Sequence, residues 1–440
     1  MRRDTAKEQQ PTRSTAGELL PDGGLLEIIR DPADPGRITM LRWDGNRAEV
    51  ADCIECFGRT YVPIAVADGM LEAVCLPSLP ENHGSTAELF ARIVGVIGGF
   101  FDFPDRDLHL LAHWVLSTWF PDFLPMAITL VISSSSPPEA SRLFRLLKCV
   151  CRRGLRLGEL NPAGLFAMPM QLRPTLLLEQ MGLTRSMCRL LKASSNRGLY
   201  FARSGNFLDL HCAKAVSFSA LGDLDATLAE GMLRVAVVPT ESRSVMLNER
   251  DEDRITAEFQ PLLLDYRLHN YVAVKESALD VPEFTPELRD LARSLRAAVA
   301  GDGELANEIV ALLAPQDEDA RARRSARPEC AIAVVLLALV HEKKERELLV
   351  KDITCFVNAA LRANGEIVEF SPEEIGWRLA ELGLYTRRMK GGRGIRFDRE
   401  LSRSVHALAR RRVFSVSPPG FPACPDCEQA VKALDPEVVV

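Results

Sequence analysis

The sequence predicts an α/β protein in which a parallel sheet, covered by helices on both faces, occupies the middle of the chain. Three observations predict this architecture. Apolar strand-like segments alternate with helical segments over residues 105–240, short alternating stretches dominate residues 38–76, and a helical pattern ending in a charged hairpin fills residues 329–414. At 440 residues the chain is long enough for two or three domains.

Composition narrows the class of protein. The net charge is −6, so any contact with nucleic acid has to come from a local basic patch. No run of about 20 apolar residues predicts a membrane span, and residues 1–37 lack the apolar core of a secretory signal. We therefore expect those residues to form a flexible leader. The eleven cysteines are scattered, which favours reduced thiols in a cytoplasmic protein without membrane contact.

A small β-rich region with a helix is predicted over residues 38–104. "ITMLRW" and "RAEVADCIECFGRTYVPIAV" alternate polar and apolar residues on either side of the turn "DGN". Ser85 and Glu88 have the spacing of a capping box, which predicts that an apolar-striped helix begins there. A second helix is predicted from about Asp105 to Phe120.

Residues 105–240 are predicted to form the parallel sheet. Four continuous apolar stretches are typical of strands buried on both faces: "AITLVIS", "RPTLLLEQ", "KAVSFSAL" and "LRVAVVPT". Helices are predicted at "EASRLFRLLKCVCRR", "TRSMCRLLKASS" and "DLDATLAEG", and a hairpin is predicted to turn at residues 204–206. Residues 241–315 show a helical pattern, and the charged residues 316–328 are predicted to be a linker.

The segment "ISSSSPPEASRLF", residues 132–144, has the strand–turn–helix layout of a phosphate-binding loop but not its residues. A Walker A loop needs glycines to aim its N–H groups at phosphate and a lysine to pair with it. The register places Ser134 and Glu139 at the glycine positions, Ala140 at the lysine and Ser141 at the metal-binding hydroxyl. Pro137 and Pro138 also carry no N–H group. Losing two or three hydrogen bonds of about 1.5–3 kcal/mol each weakens binding on the order of a thousandfold or more, so tight ATP binding is not predicted.

The second nucleotide motif is also incomplete. In "TLLLEQ", Glu179 stands where an acid supports magnesium and Gln180 stands where a second acid activates water. Gln180 cannot accept a proton at neutral pH, so the general base is missing. The sequence therefore predicts no catalytic residue and no cofactor.

Four segments together resemble the core of AAA+-type P-loop ATPases of the primase–helicase-associated kind: "AITLVISSSSPPEASRLFRLL", "RPTLLLEQ", "LLKASSNRGLYFARSG" and "LRVAVVP". The resemblance implies a P-loop NTPase-like core with a helical lid, a C-terminal winged helix and a bacterial or mobile-element setting. It also implies an acidic–arginine pair before the last strand, but here Glu230 is followed by Gly231. The resulting interpretation is that these segments form a degenerate ATPase core.

Two alternatives to a degenerate ATPase stay open. One is an ordinary strand–turn–helix that never bound nucleotide. The other is a weak ATPase, using ATP and magnesium, whose missing cation comes from Arg142, Arg145 or a neighbouring subunit.

Residues 329–414 show three helices followed by a short hairpin, the pattern of a winged helix-turn-helix. Ser371 and Glu374 form a second capping-box pattern, and the helix that they open is in the position of a recognition helix. Its outward residues are Glu373, Glu374, Arg378 and Glu381, which are too acidic for reading a major groove.

The glycine-tipped hairpin after that helix is strongly basic. Its candidate nucleic-acid-binding residues are Arg387, Arg388, Lys390, Arg393 and Arg396. Such a hairpin fits contact with phosphate or a minor groove, so nucleic acid is the predicted partner. The alternatives are a protein partner or a homo-oligomer. A further alternative is a solvated hairpin that only packs Leu384, Ile395 and Phe397 against the helices.

The remaining motifs predict no metal site. Cys424 and Cys427 in the tail, residues 415–440, have the spacing of half a zinc site, and the other close pair, Cys53 and Cys56, is far away in sequence. The predicted function is a non-catalytic ATPase-like scaffold that binds nucleic acid or a protein through its C-terminal unit.

Overall fold

The computed structural model describes residues 11–179, 183–203, 205–218, 231–237, 246–277, 281, 283–325, 327–342, 347–363 and 369–412. The chain divides into two compact units, which we call unit 1 (Met1–Ala314) and unit 2 (Pro315–Val440).

Unit 1 opens with six short strands in two three-stranded sheets. The strands are β1 (Thr12–Thr15), β2 (Leu25–Arg30), β3 (Ile38–Trp43), β4 (Ala48–Ala51), β5 (Ile54–Cys56) and β6 (Arg59–Pro63). Strands β2, β3 and β4 form an antiparallel meander, whereas β6 pairs in parallel with β1 and antiparallel with β5. The predicted β-rich region is present, but it begins earlier than residue 38.

The prediction of a flexible leader was wrong for residues 12–30, because β2 is buried and anchored by charge. Glu27 is 2% exposed and forms ion pairs of 2.6 Å with Arg152, Arg153 and Arg267. Arg267 also pairs with Asp122 at 2.6 Å. Burial would raise the pKa of Glu27, but the three guanidinium groups outweigh it and hold that pKa below its ordinary value.

Three helices follow the small sheets: α1 (Asp68–Ala73), α2 (Thr86–Phe100) and α3 (Asp105–Ser117). The predicted capping box is present, since the Glu88 backbone N–H donates to Ser85 Oγ at 3.1 Å and the Ser85 backbone N–H donates to Glu88 Oε2 at 2.8 Å. These bonds satisfy donors that the first helical turn leaves unpaired.

The middle of unit 1 is the predicted parallel sheet. Its elements in chain order are β7 (Thr129–Ser134), α4 (Pro137–Val150), β8 (Gly154–Leu157), α5 (Pro162–Ala167), β9 (Thr175–Leu178), α6 (Arg185–Ala193), β10 (Tyr200–Arg203), β11 (Asn206–Asp209), β12 (Lys214–Phe218) and β13 (Leu233–Val237). The five-stranded sheet has the order β13-β7-β12-β9-β8, and every neighbouring pair is parallel. Strands β10 and β11 form the predicted hairpin. The predicted helix "DLDATLAEG" lies outside the described residues, and β8 and α5 were not predicted.

Three helices complete the helical region: α7 (Glu249–Glu276), α8 (Pro286–Ala298) and α9 (Gly303–Ser325). The prediction of a linker was wrong for residues 316–325, because α9 continues through them. Arg321 and Arg323 pair with the acidic residues one turn earlier, Asp317 at 2.7 Å and Asp319 at 3.8 Å. Opposite charges at this spacing favour helix.

Unit 2 combines helices with a small antiparallel sheet. Its elements are α10 (Pro328–Glu342), β14 (Glu347–Leu349), α11 (Val350–Ala363), α12 (Pro372–Glu381), β15 (Arg387–Met389), β16 (Gly392–Arg396) and α13 (Arg399–Arg412). Strand β16 lies between β14 and β15. The predicted capping box at Ser371 and Glu374 is present, and Leu384 and Ile395 are buried in the core of this unit. Strand β14 and helix α13 were not predicted.

Membrane-spanning helices and disulfides were also sought in the described part of the chain. No helix in that part is both long enough and apolar enough to cross a bilayer. The nine cysteines within it are free thiols. Cys424, Cys427 and the tail lie outside the described residues.

Candidate functional site

The carboxyl end of β7 lies at a topological switch point of the parallel sheet. From β7 the chain runs to β8 at one edge, whereas the later connection from β12 to β13 crosses to the other side of β7. In open α/β sheets, ligands bind in the crevice at such a point. Ser134, the last residue of β7, therefore lies at the edge of the sheet where a ligand site is expected.

The turn between β7 and α4 is too short to wrap around a phosphate group. Only Ser135 and Ser136 separate the end of β7 from the start of α4, because Pro137 and Pro138 are the first two helical residues. Proline is well suited to these positions, where an N–H group has no helical partner. The same choice removes two donors from the helix N-terminus, the part of a helix that binds anions.

Three of the N–H groups that remain near the turn are already hydrogen-bonded within it. The Ser136 N–H donates to Ser134 Oγ at 3.1 Å, and the N–H groups of Glu139 and Ala140 donate to Ser136 O at 3.1 and 3.2 Å. Ser134 Oγ donates in turn to Ser136 O at 2.9 Å. These local bonds close the turn on itself.

The two arginines that could replace the missing lysine are both paired with carboxylates. Arg142 forms an ion pair with Glu139 one turn earlier, and its guanidinium lies 4.7 Å from the centre of the Phe101 ring. Arg145 donates from Nε to Glu252 at 2.6 Å. Either arginine would have to break an ion pair before it could reach a phosphate.

A guanidinium group from the chain itself contacts both of the residues that the family resemblance assigns to magnesium. Arg156, on β8, donates from Nε to Glu179 Oε1 at 2.6 Å and from Nη2 to Ser141 Oγ at 3.4 Å. The structure thus brings Ser141 and Glu179 together through a guanidinium group. Sequence reasoning missed Arg156 because "GLRL" is too short to stand out as a strand. Gln180 lies outside the described residues.

The hairpin of unit 2 presents its basic residues to solvent, although Ile395 on β16 is buried. The exposed basic residues are Arg387, Arg388, Lys390, Arg393 and Arg396. Lys390 and Gly391 form the tip, where Gly391 has a φ of +104° that favours glycine. Arg388 and Arg393 are directly opposite each other across the two strands. Like charges in that position are destabilising, and within the described residues no carboxylate forms an ion pair with either of them.

A groove lined by one exposed aromatic residue, Trp377, lies beside this hairpin. The groove has a volume of about 560 Å³, and its lining includes Lys351, Gly376, Trp377 and Arg393. Trp377 on α12 is 64% exposed and Tyr385, just before β15, is 78% exposed. Sequence reasoning missed both, although Trp377 is out of phase with the buried stripe of α12.

The outward face of α12 differs from the prediction at Arg378. That side chain forms an ion pair with Glu329 and lies 4.9 Å from the centre of the Phe370 ring. The face that remains exposed presents Glu373 and Trp377. An aromatic side chain beside a basic hairpin can stack on a base while the hairpin binds phosphates.

Similarity to known proteins is found among solved structures. No family model matches the chain, and no curated protein matches it. Among solved structures, an A-form apo structure of the NrS-1 C-terminal region is similar at 12% identity with a TM-score of 0.37, covering 85% of this chain and 97% of that one. A second structure of the same region matches at 11% identity with the same TM-score, covering 85% and 96%.

Proposed function

We propose that this chain is a non-catalytic P-loop ATPase-like scaffold that binds nucleic acid through unit 2, whose helices and hairpin act as a winged helix. The observation that carries the proposal is the exposed basic hairpin next to the groove containing Trp377. The helical order with a three-stranded sheet and a glycine-tipped hairpin supports the winged-helix assignment.

The chemistry of the surface fits two contacts at once. Guanidinium and ammonium groups on the hairpin neutralise phosphates, which supplies affinity and makes binding depend on salt. Trp377 and Tyr385 offer flat faces on which unpaired bases can stack, a contact worth about 1–3 kcal/mol per base. We therefore propose that unit 2 prefers single strands or duplex ends to uninterrupted duplex.

The absence of catalysis is part of the proposal, and three features of unit 1 support it. The turn after β7 has two residues, the Ser136 N–H binds within the turn, and Arg156 contacts both Ser141 and Glu179. A guanidinium there repels magnesium and uses the carboxylate that would hold it. Given the resemblance to primase–helicase-associated ATPases, we propose that the scaffold serves a replication-related system such as that of a mobile element.

Fluorescence anisotropy with labelled oligonucleotides tests nucleic-acid binding by the full chain. The hairpin variant replaces Arg387, Arg388, Lys390 and Arg393 with Ala. A control variant has the same change in charge on unit 1, with Ala at Arg47, Arg59, Arg185 and Arg189, all of which are exposed. We expect the hairpin variant to bind much more weakly at low salt and the control to bind as the wild type does. If neither single-stranded nor duplex DNA or RNA binds the wild-type chain at low salt, the proposal is wrong.

A further inference from the structure

Three side chains that could bind a metal meet in unit 1. His83 precedes α2, whereas Asp265 and His269 are one turn apart on α7. His83 Nδ1 lies 2.6 Å from Asp265 Oδ2, whereas His269 Nδ1 lies 2.9 Å from the Asp265 backbone O and 3.2 Å from Asp265 Oδ1. One donor atom of each residue lies within 4.8 Å of the other two.

These separations suit a tetrahedral ion. Donors about 2.1 Å from Zn²⁺ lie roughly 3.4 Å from one another in a tetrahedron. The distance of 2.6 Å between His83 Nδ1 and Asp265 Oδ2 lies below that value and all three donors lie within 4.8 Å of one another, so side-chain shifts of about an ångström would bring them onto one ion.

The surroundings hold two of the three donors in place. The side chains of His83 and Asp265 are 10% and 12% exposed, and the His83 backbone N–H donates to Asp265 Oδ2 at 3.1 Å. The Tyr266 ring meets His83 edge-on at 5.5 Å. The Glu81 N–H donates to Pro261 O at 3.2 Å, which ties the same loop to α7. A preorganised site loses little entropy when it binds an ion.

The open side of the cluster is at His269. Its side chain is 47% exposed, and Trp43 contacts it edge-on at 4.8 Å. Water can therefore reach an ion in this position and supply a fourth ligand, as it does in zinc sites with three protein ligands.

The donor types select a class of metal. Two imidazoles and one carboxylate suit zinc and other divalent transition metals, whereas magnesium and calcium prefer oxygen donors alone. Without an ion, the contacts to Asp265 depend on imidazole protons. A divalent cation at the same point would replace those protons as the positive partner of the carboxylate.

We propose that His83, Asp265 and His269 form a binding site for a divalent transition metal, with Zn²⁺ as the best match to the donor set. The ion links the segment before α2 to α7 and so stabilises unit 1.

Titration of the chelator-treated full chain with Co²⁺ and Zn²⁺ tests this site. Visible Co²⁺ absorption reports the ligand set, and calorimetry gives the affinity and the number of ions bound. The test variants are His83→Ala and His269→Gln, the second at the exposed position where folding is least affected. Two controls are Cys424→Ser with Cys427→Ser, which removes the cysteine pair, and His109→Asn, which removes an imidazole from another histidine–carboxylate pair.

We expect the wild-type chain and both controls to bind one equivalent of Co²⁺ through nitrogen and oxygen, with a rise in Tm on adding Zn²⁺. His83→Ala and His269→Gln should each weaken that equivalent by at least about tenfold, and His269→Gln should lose the rise in Tm on adding Zn²⁺. The proposal is overturned if the wild-type chain binds no ion at micromolar concentrations, if the test variants bind as the wild type does, or if only the control substitutions abolish binding.

Discussion

The hairpin variant gives the most quantitative prediction about unit 2. It removes four exposed positive charges, two of which, Arg388 and Arg393, are directly opposite each other in the hairpin. Each phosphate contact contributes about 0.7–0.9 to the slope of log affinity against log salt, so loss of four contacts lowers the magnitude of the slope by about 3.

That change in slope determines how much more affinity the wild-type chain loses than the hairpin variant when salt is raised. Between 50 and 200 mM salt, four contacts account for about a hundredfold of affinity, so the wild-type chain should lose roughly a hundredfold more than the hairpin variant over that range. Anisotropy titrations at four or five salt concentrations measure both slopes. Equal slopes for wild type and hairpin variant would refute the reasoning, because they would show that the hairpin does not contact phosphate.

Three further predictions concern single side chains. Trp377→Ala should weaken single-strand binding by about 1–3 kcal/mol with the salt slope unchanged, measured by the same titrations. Glu27→Ala leaves three buried guanidinium groups without their shared carboxylate, so urea unfolding should show a loss of about 3–5 kcal/mol, and a loss under 1 kcal/mol would contradict the role of the network. Burial, followed by the charge of Lys214, lowers the pKa of His211 to about 4, below its ordinary value of 6.5, so the unfolded chain binds more protons in that interval. Stability should therefore fall as the pH drops from 6.5 towards 4, and His211→Gln, which keeps an acceptor for the Ala127 N–H, should flatten that fall in thermal-unfolding scans.

The parts of the fold that sequence could predict are those with a local signal. Continuous apolar stretches identified β7, β9, β12 and β13, and capping boxes identified the starts of α2 and α12. The errors arose where long-range contacts decide the structure. Strand β2 was assigned to a leader because the partners that stabilise Glu27 are at least 125 residues away in sequence. Helix α9 was cut short because Pro315 and the charges after it suggested a linker.

The candidate sites follow the same division. The basic hairpin is a continuous stretch of sequence, so its residues could be predicted. Arg156 lies on β8, which was not predicted, and its contacts are with Ser141 and Glu179. The proposed metal site could not be predicted from the sequence, because His83 is 182 residues from Asp265.

The most direct test of the central claim is isothermal titration of the full chain with ATP and magnesium. Because the turn after β7 has only two residues, α4 begins with two prolines that carry no N–H group, and the turn contains no lysine, we predict no binding tighter than about millimolar, equivalent to roughly 4 kcal/mol, and no hydrolysis. Micromolar binding that Glu179→Ala abolishes would contradict the account and identify a working ATPase site.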